Sequence, residues 1–114
     1  MKSPQLRQRA RRDARLDSPP SIRLTERDLD IIQAVYDYRV LTTQQLQTLF
    51  FPSAHTAYAR LSALYHHGFL ERKFLGVYSD KMNTPILYVL DKRGAELLRA
   101  SRGIEASWTR GGWA

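Results

Sequence analysis

The stretch between Thr42 and Gly68 constrains the fold more than any other part of this 114-residue chain. Thr42 is a good helix N-cap, and Gln45 three residues later completes a capping box. Pro52 cannot continue that helix, and Ser53 is placed to cap a second one. Gly68 suits the left-handed residue that often ends a helix. The stretch therefore predicts two helices joined by a tight turn, which is the helix-turn-helix pattern.

Apolar spacing predicts which faces of these two helices are buried. In the first helix, Leu46, Leu49 and Phe50 form one apolar face. The second helix has a stripe of apolar residues at i, i+4 and i+7, namely Ala57, Leu61 and Leu64. Its opposite face then consists of small and polar residues, which are His55, Thr56, Tyr58, Ala59, Ser62 and Ala63.

A further helix precedes the pair. Thr25 is its predicted cap, with Asp28 as a weaker stand-in for the glutamate of a capping box. Its apolar residues recur with helical period. We expect a buried face of Leu29, Ile32, Val35 and Tyr36, with Ile31 and Tyr38 on its flanks.

The period changes after Gly68. Residues 69–74 and 86–90 have the composition of strands, and the turn-forming residues between them make a loop of roughly ten residues. Asp91 caps a last helix, in which Leu97 and Leu98 turn inward. The predicted fold is therefore α+β, mainly α: a winged helix-turn-helix with three helices, a β-hairpin wing and a C-terminal helix.

Positive charge is concentrated at the N-terminus. The chain has a net charge of +7. Residues 1–23 hold seven cations and two carboxylates, which leaves only +2 for the rest. We therefore divide the chain into a basic flexible arm (1–23), a winged-helix domain (24–100) and a tail (101–114). The excess of positive charge in the arm favours a polyanionic partner, with double-stranded DNA ahead of a membrane surface. The alternative is that the arm only keeps the chain soluble.

The predicted DNA contacts lie in three places. The second helix of the pair is expected to enter the major groove, because its outer face is small and polar. Arg60 borders the buried stripe and could either clamp a phosphate or pair internally with Asp37 or Glu71. Arg72 and Lys73 at the base of the wing are DNA contacts or strand solubilisers. The full set is Ser53, His55, Thr56, Tyr58, Ala59, Arg60, Ser62, Arg72, Lys73, Lys81, Asn83, and Arg7, Arg9, Arg11 and Arg12 of the arm.

The residue types argue against a catalytic or metal site and against a membrane-spanning segment. The chain has no cysteine, which removes disulfides, thiolate ligands and a cysteine nucleophile. Adjacent His66 and His67 point about 100° apart on a helix and chelate poorly. No apolar run approaches the roughly 18 residues of a membrane span. We expect no catalytic residue, metal, cofactor or small-molecule ligand, and a cytoplasmic, nucleoid-associated protein.

Several apolar residues have no obvious place in a small core. These are Phe51, Ile104, Trp108 and Trp113. Tryptophan is enriched at interfaces, so we expect a homodimer with Ile104, Trp108 and Trp113 at its contact surface. An incidental, disordered tail is the competing interpretation.

The chain also resembles a known family over about residues 22–100. The matching pieces are residues 24–28 (LTERD), residues 41–46 (LTTQQL), Ala57 with Arg60-Leu61 and Leu64, residues 68–70 (GFL), residues 88–90 (YVL) and residues 93–98 (RGAELL). Together they resemble the winged helix-turn-helix domain of the replication-relaxation family of bacterial and mobile-element proteins. The resemblance implies a DNA-binding module, which we expect to regulate transcription. The alternatives are a winged-helix protein adaptor and the DNA-binding part of a larger plasmid replication or mobilisation protein.

Overall fold

A computed structural model describes residues 14–74 and 85–106 of the chain. Its elements follow the predicted order of three helices, a hairpin and a last helix. They are α1 (Glu26–Tyr38), β1 (Leu41–Thr42), α2 (Thr43–Phe50), α3 (Ala54–His66), β2 (Leu70–Lys73), β3 (Leu87–Leu90) and α4 (Lys92–Arg102). This confirms a mainly helical α+β fold with the element order of a winged helix.

The helices begin where their capping residues predicted. The Thr25 hydroxyl accepts a hydrogen bond from the backbone N–H of Asp28 at 3.3 Å, and the Asp28 carboxylate accepts one from Thr25 N at 2.8 Å. Thr42 and Gln45 form the same reciprocal box at the start of α2. Because each cap satisfies an orphan N–H within three residues of itself, local sequence is enough to place it.

Gly68 ends α3 in the left-handed conformation, with φ of +83°. The N–H of Phe69 donates to the carbonyl of Leu64 at 3.0 Å, and the N–H of Gly68 donates to that of Tyr65 at 3.0 Å. These two bonds define a Schellman motif, with Gly68 in the left-handed position that the sequence predicts. The turn directs the chain from α3 straight into β2, so α3 and the wing share one junction.

The sheet has three antiparallel strands in the order β1-β3-β2. Leu41 of β1 lies opposite Tyr88 in β3, whose other neighbour is Arg72 in β2. The sequence indicates only a linker before Thr42, because a two-residue strand is too short to show a period. Thr42 serves both as the end of β1 and as the cap of α2. Residues 75–84 of the predicted wing loop lie outside the described residues.

One apolar core joins the helices to the sheet, but α1 faces it differently from the prediction. Ile31 is fully buried, whereas Leu29 and Tyr36 are half-buried. Tyr38 is 67% exposed. The cause is that α1 packs on both β3 and α4, which turns the face around Ile31, Ile32 and Val35 inward.

Two apolar residues near the helix-turn-helix also differ from expectation. Leu49, assigned to the buried face of α2, is 56% exposed. Phe51, which had no predicted place, lies in the core with 8% exposure. The extended backbone of Phe51 ends α2, and the turn carries its ring into the core instead.

The described part of the predicted arm lies against the domain. The Arg15 guanidinium donates to the carbonyl of Tyr65 at 2.6 Å and to the carboxylate of Asp91 at 2.6 Å. The N–H of Leu16 donates to Nδ1 of His66 at 3.0 Å. Residues 14–23 therefore belong with the folded domain, because they satisfy polar groups at the end of α3 and the start of α4.

Candidate nucleic-acid interface

The outer face of α3 carries the residues predicted to read DNA. His55, Thr56, Tyr58 and Ala59 are exposed, and Ser53, Ser62 and Ala63 are half-buried. Ala57, Leu61 and Leu64 are fully buried, as their spacing predicted. The exposed part is therefore concentrated in the first half of the helix, where the side chains are small or polar.

Two of the candidate hydroxyls serve the start of α3. Ser53 Oγ accepts the N–H of Thr56 at 3.2 Å, and Thr56 Oγ1 donates to the carbonyl of Ser53 at 3.1 Å. The hydroxyl oxygens themselves lie 3.0 Å apart. Thr56 therefore has its proton engaged and offers chiefly an acceptor to a ligand.

Arg72 is buried beneath this face rather than exposed to a ligand. It is only 5% exposed, and it donates to the Tyr88 hydroxyl at 3.0 Å and to Ser62 Oγ at 2.7 Å. Its guanidinium lies 4.4 Å from the ring centroid of Tyr65 and 5.3 Å from that of Tyr58. Cation–π contacts of this kind hold the tyrosines in place.

The structure places Arg72 and Ser62 against each other, whereas both are predicted DNA contacts, and those contacts stay predictions. Arg72 was expected to contact DNA or to solubilise the strand, and Ser62 was expected to contact DNA. Both are turned toward each other, between α3 and β2. Burial between these elements raises the pKa of Tyr88, although the nearby charge of Arg72 acts to lower it. Arg72 thus supports Tyr58 from behind.

Arg60 forms an internal ion pair, which is one of the two roles that the sequence predicts for it, but the partner is not one of the two expected. Its Nε donates to Oδ1 of Asp28 at 2.8 Å, and its Nη2 contacts Oδ2. Nη2 also donates to the carbonyl of Arg23 at 2.7 Å. The sequence allows an internal partner, but it points to Asp37 or Glu71. The true partner lies in the first turn of α1, so the pair fastens α3 to α1.

The pairing shifts the pKa values of Asp28 and Arg60 in the directions that favour their charged forms. Asp28 is fully buried. Burial alone favours its neutral acid, but hydrogen bonds from Arg60 and Thr25 outweigh burial, and the pKa of Asp28 is lowered. The same hydrogen bond raises the pKa of Arg60. Asp28 therefore stays ionised near neutral pH while completing both the helix cap and the ion pair.

Arg27 is a candidate that sequence reasoning missed. It is exposed, and its guanidinium lies 4.7 Å from the ring centroid of Phe51, two residues before the cap of α3. It forms no ion pair with any described residue. Nothing in the local sequence signals that Arg27 approaches the turn, because the approach depends on how α1 packs against the helix pair.

Lys73, a predicted contact at the base of the wing, is half-buried at the end of β2.

Other predicted sites fall partly outside the described ranges. Ile104 packs against the core, and its N–H donates to the carbonyl of Leu98 at 3.2 Å. It is therefore engaged within its own chain. The remaining candidates lie outside the described residues and stay predictions: Arg7, Arg9, Arg11, Arg12, Lys81, Asn83, Trp108 and Trp113.

The described ranges contain neither a cluster of metal ligands nor a membrane-spanning helix. No three acidic, histidine or cysteine side chains of residues 14–74 and 85–106 are grouped so as to hold a metal ion. No helix within those ranges combines the length and apolar character needed to cross a membrane.

The element order, together with the capped helix α3 and its exposed face, defines a winged helix-turn-helix protein. The chain belongs to the replication-relaxation family, whose pattern matches residues 32–113. The match begins inside α1, so the LTERD motif of residues 24–28 lies outside it, whereas most of the tail is included. Comparisons with curated proteins and with solved structures found no significant match.

Proposed function

We propose that this protein binds double-stranded DNA through the first half of α3. The observation that carries the proposal is the contrast between the two sides of this helix. Its outer face presents His55, Thr56, Tyr58 and Ala59 to solvent. On the inner side, Arg60 and Arg72 hold it to α1 and to β2. A rigidly supported helix with small outward side chains fits a major groove about 12 Å wide.

Charge supports the same proposal. The chain carries +7, and the arm contributes most of it. In this proposal the arm and Lys81 neutralise phosphates without reading sequence, and Arg27 holds a phosphate beside the helix turn. Direct contacts from α3 then supply the sequence preference.

For the biological role, we propose a non-enzymatic transcriptional regulator of a bacterial or mobile genetic element, acting in the cytoplasm on the nucleoid as a homodimer. Membership of the replication-relaxation family favours a second role for the same module, as the DNA-binding part of a replication or mobilisation protein. A protein adaptor would use the same surfaces but would not share the salt dependence of a phosphate contact.

The test uses two matched substitutions, Ala59→Glu and Ala100→Glu. Both positions are exposed on helices, and both changes lower the net charge equally. A preferred duplex is first selected from random DNA, and binding is measured by fluorescence anisotropy. Ala59→Glu should weaken binding by about 1–3 kcal/mol, because it places a carboxylate in the groove. Ala100→Glu should bind almost as wild type.

Two results would count against the proposal. Equal weakening by both substitutions would mean that α3 acts only through net charge. Failure of the wild-type protein to select or bind any duplex at low salt would exclude DNA as the partner. Thermal unfolding of both variants serves as the control, since glutamate is well tolerated on an exposed helix.

A further inference from the structure

The first turn of α3 fixes the direction of one hydroxyl on the outer face of the helix. The Thr56 side chain is exposed. Its Oγ1 donates to the carbonyl of Ser53 at 3.1 Å, and Ser53 Oγ lies 3.0 Å away as an alternative acceptor. Both acceptors belong to the residue that caps the helix. The single hydroxyl proton of Thr56 therefore points back into the turn, and the lone pairs of Oγ1 are what this side chain presents to a ligand.

The neighbours of Thr56 along the helix leave this oxygen open. Ala59 and Ala63 follow it at i+3 and i+7, on the same side of α3, and they add no polar side-chain atom. Arg60 follows at i+4, but its guanidinium turns to Asp28. Beyond the capping residue, Thr56 Oγ1 is therefore the polar atom that this side of the helix offers to a base edge.

The place of Thr56 in the fold decides which group this oxygen would meet on DNA. In helix-turn-helix proteins, the N-terminal residues of the second helix contact base edges in the major groove. Thr56 is the third residue of α3. An oxygen that offers only lone pairs needs a donor opposite it. The donors in the major groove are the exocyclic amino groups of adenine (N6) and cytosine (N4), whereas guanine and thymine present acceptors there.

A phosphate fits the same side chain poorly. Phosphate oxygens accept hydrogen bonds, so they are bound by donors such as arginine, lysine and backbone N–H groups. The hydroxyl proton of Thr56 is already used, and its backbone N–H donates to Ser53 Oγ at 3.2 Å. Since neither group is left to donate to a phosphate, a base amino group suits Thr56 better than the DNA backbone does.

We propose that Thr56 selects a base with an exocyclic amino group, adenine or cytosine, at one position of the strand that it faces. This inference rests on the proposed DNA binding and adds the chemical class of base that α3 reads. An unrestrained threonine hydroxyl can accept or donate, and it therefore pairs with any base. The hydrogen bond to Ser53 removes that freedom, because donating to guanine or thymine would first require breaking it.

The test measures whether the effect of Thr56 depends on a base amino group. After a preferred duplex is selected from random DNA, each adenine and cytosine of the site is replaced in turn by an analogue without the amino group, purine or 2-pyrimidinone. At one position, the wild-type protein should bind the analogue about tenfold more weakly, the usual size of one lost hydrogen bond. Thr56→Val, which keeps the shape but lacks the oxygen, should bind both duplexes equally. Effects of the analogue on the duplex itself are common to all variants and cancel from this comparison.

Two further variants make the comparison specific. Thr56→Ser keeps the hydroxyl and should retain the tenfold difference between the two duplexes. Thr48→Val is the matched control, because Thr48 is also an exposed threonine and its Oγ1 also donates to a backbone carbonyl, that of Gln44 at 3.0 Å. Since Thr48 lies on α2, its variant should distinguish the two duplexes as wild type does.

Two patterns would overturn the proposal. In the first, loss of each amino group weakens wild type and Thr56→Val equally, so that Thr56 reads none of them. In the second, the effect of Thr56→Val disappears when a phosphate is replaced by a neutral methylphosphonate, which would place the side chain on the backbone. A protein that selects a duplex but shows either pattern loses only this inference, whereas failure to select any duplex rejects the proposed DNA binding as well.

Discussion

Asp28 is the residue on which the support of α3 depends most directly. It accepts hydrogen bonds from Thr25 and from Arg60 while fully buried. A buried carboxylate that loses its partner, or a partner that loses its carboxylate, is left as an uncompensated charge. One side chain therefore links the start of α1 to the middle of α3.

We predict that Asp28→Asn destabilises the protein by about 3 kcal/mol at neutral pH, because Arg60 is left without a counter-charge. Asp30→Asn is the matched control on the same helix. Its partner is Arg102, at 2.8 Å on the surface, and exposed pairs contribute at most about 1 kcal/mol. Urea unfolding measures both variants, and equal destabilisation would contradict the assigned role of Asp28.

The same pair predicts a direction of pH dependence. The folded-state pKa of Asp28 is lowered from its ordinary value of 3.8. Its contribution to stability is therefore fully present above that ordinary value, and it is lost as the pH falls through the lower folded-state pKa. The difference between wild type and Asp28→Asn should shrink in acid, as measured by urea unfolding from neutral pH downward. A constant difference would show that Asp28 acts through shape alone.

At the scale of elements, Gly94 sets how closely α4 approaches the end of α3. A Cβ built at this position would lie 2.3 Å from the carbonyl oxygen of Phe69 and 2.8 Å from Cδ1 of Leu90. The helix and the chain after Gly68 can pack at this distance only without a side chain. The junction that carries the wing therefore depends on a glycine within a helix.

We predict that Gly94→Ala lowers the free energy of unfolding by about 1–3 kcal/mol, as expected for overpacking. Helix propensity alone predicts the opposite sign, because alanine is favoured over glycine by about 1 kcal/mol within a helix. The sign of the change in urea unfolding therefore decides between the two effects. Ser101→Ala, at an exposed position of the same helix, is the control and should have little effect.

On the scale of the whole molecule, we propose different roles for residues 14–23 and residues 1–13 of the arm. Residues 14–23 hold the domain through Arg15 and Leu16. Residues 1–13 carry Lys2, Arg7, Arg9, Arg11 and Arg12 against Asp13, a net charge of +4. Only residues 1–13 are expected to act purely through phosphate neutralisation.

We predict that deleting residues 1–13 weakens binding to all DNA sequences alike and leaves thermal stability unchanged. The slope of log K against log salt should become shallower by about 0.9 for each phosphate that the arm no longer neutralises. Deleting residues 1–20 should also lower the melting temperature, because the hydrogen bonds of Arg15 disappear. An unchanged salt slope after the shorter deletion would point to a protein partner for the arm.

Local sequence was sufficient to predict the order of the four helices and the two hairpin strands, the helix caps and the buried stripe of α3, but not the short strand β1. These features depend on residues three to five positions apart, as in the capping boxes of Thr25 and Thr42 or the turn at Gly68. Such interactions form within a single helix or turn. The residues of one element therefore contain all the information that they need.

Long-range packing, by contrast, set the partners of the charged residues and the exposure of α1 and α2. Arg60 reaches Asp28 across 32 positions, and Arg72 reaches Tyr88 across 16. Each of these arginines has several carboxylates or hydroxyls at plausible positions in the sequence. Which of them comes within hydrogen-bond distance depends on how α1, α3 and the sheet pack together. Packing likewise turned Ile31 inward and left Tyr38 and Leu49 at the surface, because an amphipathic helix can rotate by one residue with little change in its own pattern.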